Sequence, residues 1–268
     1  MLQKKVKKRR LNQKTRILLI LVGVLIILIS LVQIINIVLE DQMIKKEQQQ
    51  LLDIINNIAS EEDLEDAENE KVIKLSGKSY AELKDINRHF MGWLSFRSGL
   101  VNQPVVQSSD NDYYLNRSFF GKRNSTGTAF IDYAQTLEMQ NLTIYGHLVY
   151  RNENLMFSPL HKLVEQKNYD ANRYFSFSTE KEVRNYEVAI VFYYDIEEDA
   201  TTIPYYYGDF SPELFEQYIS YAKEKQFYET GVSIGVEDKI ITLQTCVKNK
   251  DNLRLIVVGK LISVESIN

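Results

Sequence analysis

Residues 239–260 read KIITLQTCVKNKDNLRLIVVGK. Ile240, Ile241 and Leu243 open one apolar run, and Leu255, Ile256, Val257 and Val258 form another. Residues 247–253 between them are rich in Lys, Asn and Asp, so the stretch reads as two strands joined by a polar loop. The only cysteine, Cys246, closes the first strand, and Arg254 opens the second. Adjacent strands of this kind bring a thiol and a guanidinium to one end of a sheet. A lone cysteine is more often a small buried hydrophobe than a nucleophile, so the rest of the chain must decide its meaning.

Upstream the pattern stays strand-like. Further strands are expected over 92–96, 105–107, 128–132, 142–147, 174–178 and 182–194, which with 239–246 and 254–264 makes about eight. Few helices separate them, which argues against a parallel α/β sheet and for an antiparallel barrel or sandwich. Ser158-Pro159 and Ser211-Pro212 each read as an N-cap followed by proline, and the second starts a helix to about Lys225. His161 falls in the first turn of the earlier helix and is expected to be exposed. A tyrosine-rich loop, TTIPYYYG over 201–208, precedes the later one. Ser79 to Glu82 forms a capping box, and the short helix after it is expected to end near His89.

The amino-terminal part is of a different kind. Residues 1–16 carry eight Lys or Arg and no acid, which leaves 24 basic and 36 acidic residues in the remainder, a net charge of −12. That is a poor surface for nucleic acid. Residues 17–39 are nearly all Ile, Leu and Val and span about 34 Å as a helix, enough to cross a bilayer. A cleaved signal peptide is the rival, but residues 33–40 lack a small-residue cleavage pattern. The basic residues before the span predict a cytoplasmic N-terminus and an extracellular body. Residues 40–70 hold eleven acids and two lysines, with Ile44, Leu51, Ile55 and Ile58 on one helical face. The expected organisation is a basic tail (1–16), a transmembrane helix (17–39), an acidic helical stalk (40–78) and a catalytic domain (79–268). One cysteine excludes an internal disulfide and a cysteine-rich zinc site, and His89, His147 and His161 are scattered, so no metal or cofactor is indicated.

His147 ends the strand NLTIYGH over 141–147, beside Gly146. The chain therefore offers His, Cys and Arg at three strand ends, which coincide only in particular topologies. A Cys–His pair supplies acyl transfer through a thioester, and an arginine can stabilise the oxyanion formed on the way.

Residues 242–246 (TLQTC), 144–147 (IYGH) and the Arg254 run RLIVV, in this order, resemble a class B sortase. The likeness extends over about 79–264 and includes Gly92-Trp93-Leu94, Pro104 to Gln107, Ser109 to Asn111, Tyr114-Leu115 and Met156-Phe157. It implies a closed, mainly antiparallel eight-stranded β-barrel with N-terminal helices and a helix in a long strand connection. It also implies Cys246 as nucleophile, His147 as acid and base, and Arg254 as the orienting, oxyanion-stabilising cation. Asn111, Leu115, Gln244, Thr245 and Tyr206 match or adjoin the sorting-peptide groove. The implied activity is cleavage of a C-terminal sorting signal, after Thr in related enzymes, and transfer of the acyl group to an amine. That amine belongs either to a cell-wall precursor or to a pilin lysine. Gln244 stands where Ser is common and Leu148 where a polar residue is common, which tilts the reading toward pilus work. No acidic residue follows Cys246 at 247–249, so a Cys–His–Asp triad is unsupported. The reading from another class is a non-catalytic membrane-tethered adaptor that binds pilins or wall peptides.

Overall fold

A computed structural model describes residues 12–58, 73–199 and 203–267. Helix α1 (Gln13–Ile58) runs without a break from the apolar stretch into the acidic one. Its apolar part has a mean hydropathy of 3.2 and none of it is buried, so by length and composition the helix can cross a membrane. The chain divides into compact units at Gln49/Gln50. The second unit contains all the remaining elements. Helix α2 (Gly77–Ile86) is followed by strands β1 (Phe90–Phe96), β2 (Asn102–Val106), β3 (Ala129–Ile131) and β4 (Asn141–Tyr145). A 3₁₀ helix (Ser158–Val164) leads to β5 (Tyr174–Ser178) and β6 (Glu182–Asp195), then helix α3 (Pro212–Lys225), β7 (Ile240–Val247) and β8 (Lys250–Ser266).

The eight strands close into a barrel in the order β1-β2-β3-β4-β7-β8-β6-β5. The ladder is mixed: β2–β3 and β4–β7 are parallel, and the other pairs are antiparallel. The parallel β4–β7 pair is made possible by the long connection through β5, β6 and α3.

Strand β7 is buried on both faces, which explains its near-continuous apolar sequence. Ile240 packs with Ile256 and Val258 beneath Phe215, Tyr218, Ile219 and Ala222 of α3. Burying each of the larger α3 side chains contributes about 2 kcal/mol. Ile241, Leu243 and Val257, alternate residues that are fully buried, face the barrel interior. At the other pole Leu51 and Ile55 of α1, and Tyr80 and Leu83 of α2, pack with Phe90, Trp93 and Phe130.

Several local expectations are corrected. The polar loop over 247–253 is a two-residue turn: Val247 pairs with Lys250, and Asn249 takes φ 59°, which asparagine tolerates. Residues 250–253 instead extend β8. The cap of α2 is Ser76, whose Oγ accepts the Ser79 N–H at 3.1 Å, so Ser79 occupies the third helical position. Ser158 lies inside its 3₁₀ helix and its Oγ accepts from Val149 N–H. Ser211 does cap α3, accepting from Leu214 N–H. His89 stands beyond the end of α2, with Nδ1 3.0 Å from the Tyr114 hydroxyl.

Candidate active site

The site follows from strand register. In the parallel β4–β7 ladder Tyr145 pairs with Gln244, and Gly146 N–H donates to Gln244 O at 3.0 Å. His147 and Cys246 are therefore each two residues past one pair on adjacent strands. Across β7–β8, Cys246 pairs with Arg254. The three strand ends coincide at one end of β4–β7–β8. Strand β4 stops at Tyr145, so His147 stands just beyond it rather than within it.

Cys246 is a half-buried free thiol. Arg254 Nη1 donates to Asp251 O (2.7 Å) and Leu253 O (2.9 Å), so the hairpin's own carbonyls hold the guanidinium. Both bonds use one nitrogen of a group with five N–H donors and a permanent charge.

His147 is held through Nε2, 2.8 Å from Leu115 O. A carbonyl only accepts, so Nε2 carries a proton and Nδ1 is the nitrogen left to titrate. Gly127 sits beneath this contact at φ +62°, where an added Cβ would meet Tyr114 O at 2.4 Å, Leu115 O at 2.8 Å and the His147 ring at 3.1 Å. A side chain there is excluded both by conformation and by space. Leu115 thus contributes its carbonyl, while its side chain packs into the cluster of Phe90 and Tyr114.

The other groove residues separate. Gln244 lies on the same face of β7 as Cys246 and is mostly buried. Thr245 is on the opposite face, 0% exposed, and its hydroxyl has no hydrogen-bond partner. It backs the strand and does not open onto a groove. Asn111 and Tyr206 line one open cavity of about 700 Å³, together with Asp132, Tyr133, Tyr145 and Tyr207. Its floor is ordered: Asp132 Oδ2 accepts from Asn111 Nδ2 (3.0 Å) and from the Tyr145 hydroxyl (2.8 Å). Burial raises the Tyr145 pKa, with Tyr205 and Asp132 adding to it, so the hydroxyl stays a donor.

Sequence reasoning missed how the tyrosine loop is fastened. Asn141 Nδ2 donates to Tyr205 O and Tyr207 O, both at 2.9 Å. Gln135 Nε2 donates to Tyr206 O at 2.9 Å, and Asn141 N–H donates to Gly208 O at 2.8 Å. Four consecutive carbonyls are thus tied down while the Tyr206 and Tyr207 rings stay exposed. Tyr205 is itself buried against Tyr194; burial raises its pKa, offset by the nearby Arg254 charge. The only advance signal was a buried-type position, Asn141, opening an apolar strand with an amide. His161, expected at the surface, is half-buried, with Nε2 2.9 Å from Cys246 O. Among the described residues no three His, Cys, Asp or Glu side chains are grouped to hold a metal ion.

Comparison with known proteins agrees with this arrangement. The sortase domain family matches residues 97–262. Sortase B of Listeria monocytogenes is 34% identical over 199 residues, covering 70% of this chain and 77% of the relative. The crystal structure of Clostridium perfringens sortase B superposes with a TM-score of 0.62 at 28% identity, over 68% of this chain and 99% of that one. A Staphylococcus aureus sortase B–substrate complex shares the fold, with a TM-score of 0.71 at 23% identity over 84% and 99% of the two chains. The chain belongs to the sortase family of cysteine transpeptidases, among its class B members.

Proposed function

We propose that Cys246 is the nucleophile, His147 the general acid and base, and Arg254 the cation that orients the substrate and stabilises the oxyanion. The observation that carries this is the register: Cys246 opposite Arg254, with Gly146 beside Gln244 leading straight into His147. The thiolate attacks the carbonyl carbon of the scissile peptide and forms a tetrahedral oxyanion. Collapse breaks the C–N bond, and His147 Nδ1–H protonates the leaving amine, leaving a thioester on Cys246. An incoming amine then gives up its proton to Nδ1 and attacks the thioester, which forms the new amide and releases the thiolate. Arg254 serves both oxyanions without changing its own charge.

The substrate is a C-terminal sorting signal laid along the cavity of Asn111, Asp132, Tyr145 and Tyr206. A carboxylate, an amide and tyrosine hydroxyls favour hydrogen-bonding side chains there. Gln244 bounds the groove beside the thiol, and Thr245 supports it from behind. The acceptor amine is that of a cell-wall peptide, a reading favoured by the likeness to sortase B of Listeria monocytogenes. Pilin polymerisation is the second reading and rests on Gln244 and Leu148. The apolar part of α1 anchors the chain, with the eight basic residues before it on the cytoplasmic side and the barrel outside. The functional segments are then tail, span, stalk and catalytic domain in the order 1–16, 17–39, 40–78 and 79–268.

The test incubates the full chain in detergent micelles with a library of threonine-containing peptides, then offers triglycine or a pilin-type lysine peptide. A ligated product with triglycine alone supports wall anchoring, and one with the lysine peptide alone supports polymerisation. Peptide binding without a covalent product would leave a membrane-tethered adaptor and reject the proposal.

A further inference from the structure

We infer that His161 is a positioning residue: it fixes the main chain of the nucleophile to the segment that carries the acid and base, and so sets where Cys246 sits relative to His147. This rests on the roles proposed above for those two residues. Residues 147–161 form one excursion that is tied to its own start. Phe157 N–H donates to His147 O at 3.2 Å, Leu148 bridges to Met156, and Val149 N–H donates to Ser158 Oγ at 2.7 Å. The Phe157 ring lies against Gly146 so closely that an added Cβ would meet it at 2.4 Å. The 3₁₀ helix that follows is anchored by Leu160 and Leu163, both fully buried.

From that helix His161 Nε2–H donates to Cys246 O at 2.9 Å. Cys246 is the last residue of β7 in regular register with β8: it faces Arg254, whereas the next pair is Val247 with Lys250. The nucleophile therefore sits where the ladder shifts and ceases to define the backbone, and His161 supplies a tie at that point. Burial lowers the His161 pKa against the raising effect of the Cys246 carbonyl, which keeps the ring neutral with its proton on Nε2.

His161→Phe keeps a ring and removes the donor. His161→Gln keeps an N–H donor at similar reach. The full chain in detergent micelles is treated with iodoacetamide, which can label only Cys246 as a cysteine. Acylation by the best library peptide is followed in parallel. His161→Phe is expected to lower the acylation kcat about tenfold at unchanged KM and to change the alkylation rate at least about threefold. His161→Gln is expected to recover both to within about threefold of wild type. Wild-type rates in His161→Phe, a loss confined to KM, or a His161→Gln variant as slow as His161→Phe would overturn the inference. If His161→Phe does not fold, His161→Leu replaces it in the same comparison. Failure of the underlying roles is seen separately, as acylation that persists in Cys246→Ala.

Discussion

The β7–β8 hairpin and the Tyr205–Gly208 loop both border the site, but they are held by different means. The hairpin is held by backbone ladders, with β4 on one side and β6 beyond. Its register alone brings Cys246 opposite Arg254. The loop has no ladder and is held by the amide side chains of Asn141 and Gln135. Reacting groups thus stand on the rigid part of the fold, and the groove wall stands on a few side-chain hydrogen bonds. The difference teaches where chemistry and specificity can change separately: variants that disturb the strand ends should lower kcat, and variants that release the loop should raise KM.

The largest effects belong to the hairpin. Arg254→Ala removes the fixed positive charge from a half-buried strand end, and acylation is expected to fall about 10²–10³-fold, read in single-turnover assays. Gly127→Ala comes next. The new methyl group cannot avoid Leu115 O, the acceptor of His147, and the backbone is in the left-handed region. A loss of roughly 10–100-fold in kcat with little change in KM is expected, together with a lowered Tm. An unchanged kcat would mean that the Leu115 tie does not matter to His147.

Asn141→Leu sharpens the comparison from the other side. It leaves two loop carbonyls without their donor, so peptide KM should rise about tenfold while iodoacetamide still labels Cys246 at the wild-type rate. A fall in kcat at constant KM would break the proposed division between the two regions.

The legibility of the sequence follows the same division. Strand β7 announced itself through β-branched runs that a ladder converts directly into geometry, and the cap at Ser211 was visible from its proline. The alternation of the strands placed Gln244 with Cys246 and Thr245 behind them. The parallel β4–β7 pairing was not visible, because periodicity says nothing of which strand lies next to which. The His161 contact and the amide ties of the loop were hidden for another reason. Each joins residues more than sixty positions apart through a single hydrogen bond, which leaves no local pattern. The turn at Lys248-Asn249 was misjudged because the polar residues after it were taken for loop, whereas they form the exposed start of β8.

The smallest expected effect is a pH dependence at the start of the loop. Burial alone would raise the Asp199 pKa, but the Lys225 ammonium, the Tyr221 hydroxyl and the Asp195 N–H together hold the carboxyl below its usual value. Lys225 Nζ lies 2.7 Å from Asp199 Oδ1. A depressed folded-state pKa gives stability that is present above the unfolded carboxylate range, about 3.9, and lost as pH falls through the folded value. Asp199→Asn is therefore expected to lower Tm by about 2–4 °C at pH 7 and by less in acid below that range. An equal loss at both pH values would assign the effect to packing.

The central claim is that one strand register assembles a complete acyl-transfer site. Single-turnover intact-mass spectrometry tests it most directly, with the full chain, one reactive peptide, and the variants Cys246→Ala, His147→Ala and Arg254→Ala. The account predicts a thioester adduct that forms rapidly on wild type, is absent from Cys246→Ala, and accumulates at least about a hundredfold more slowly on the other two. An adduct that forms at the wild-type rate without His147 or Arg254, or that survives the loss of Cys246, would contradict it.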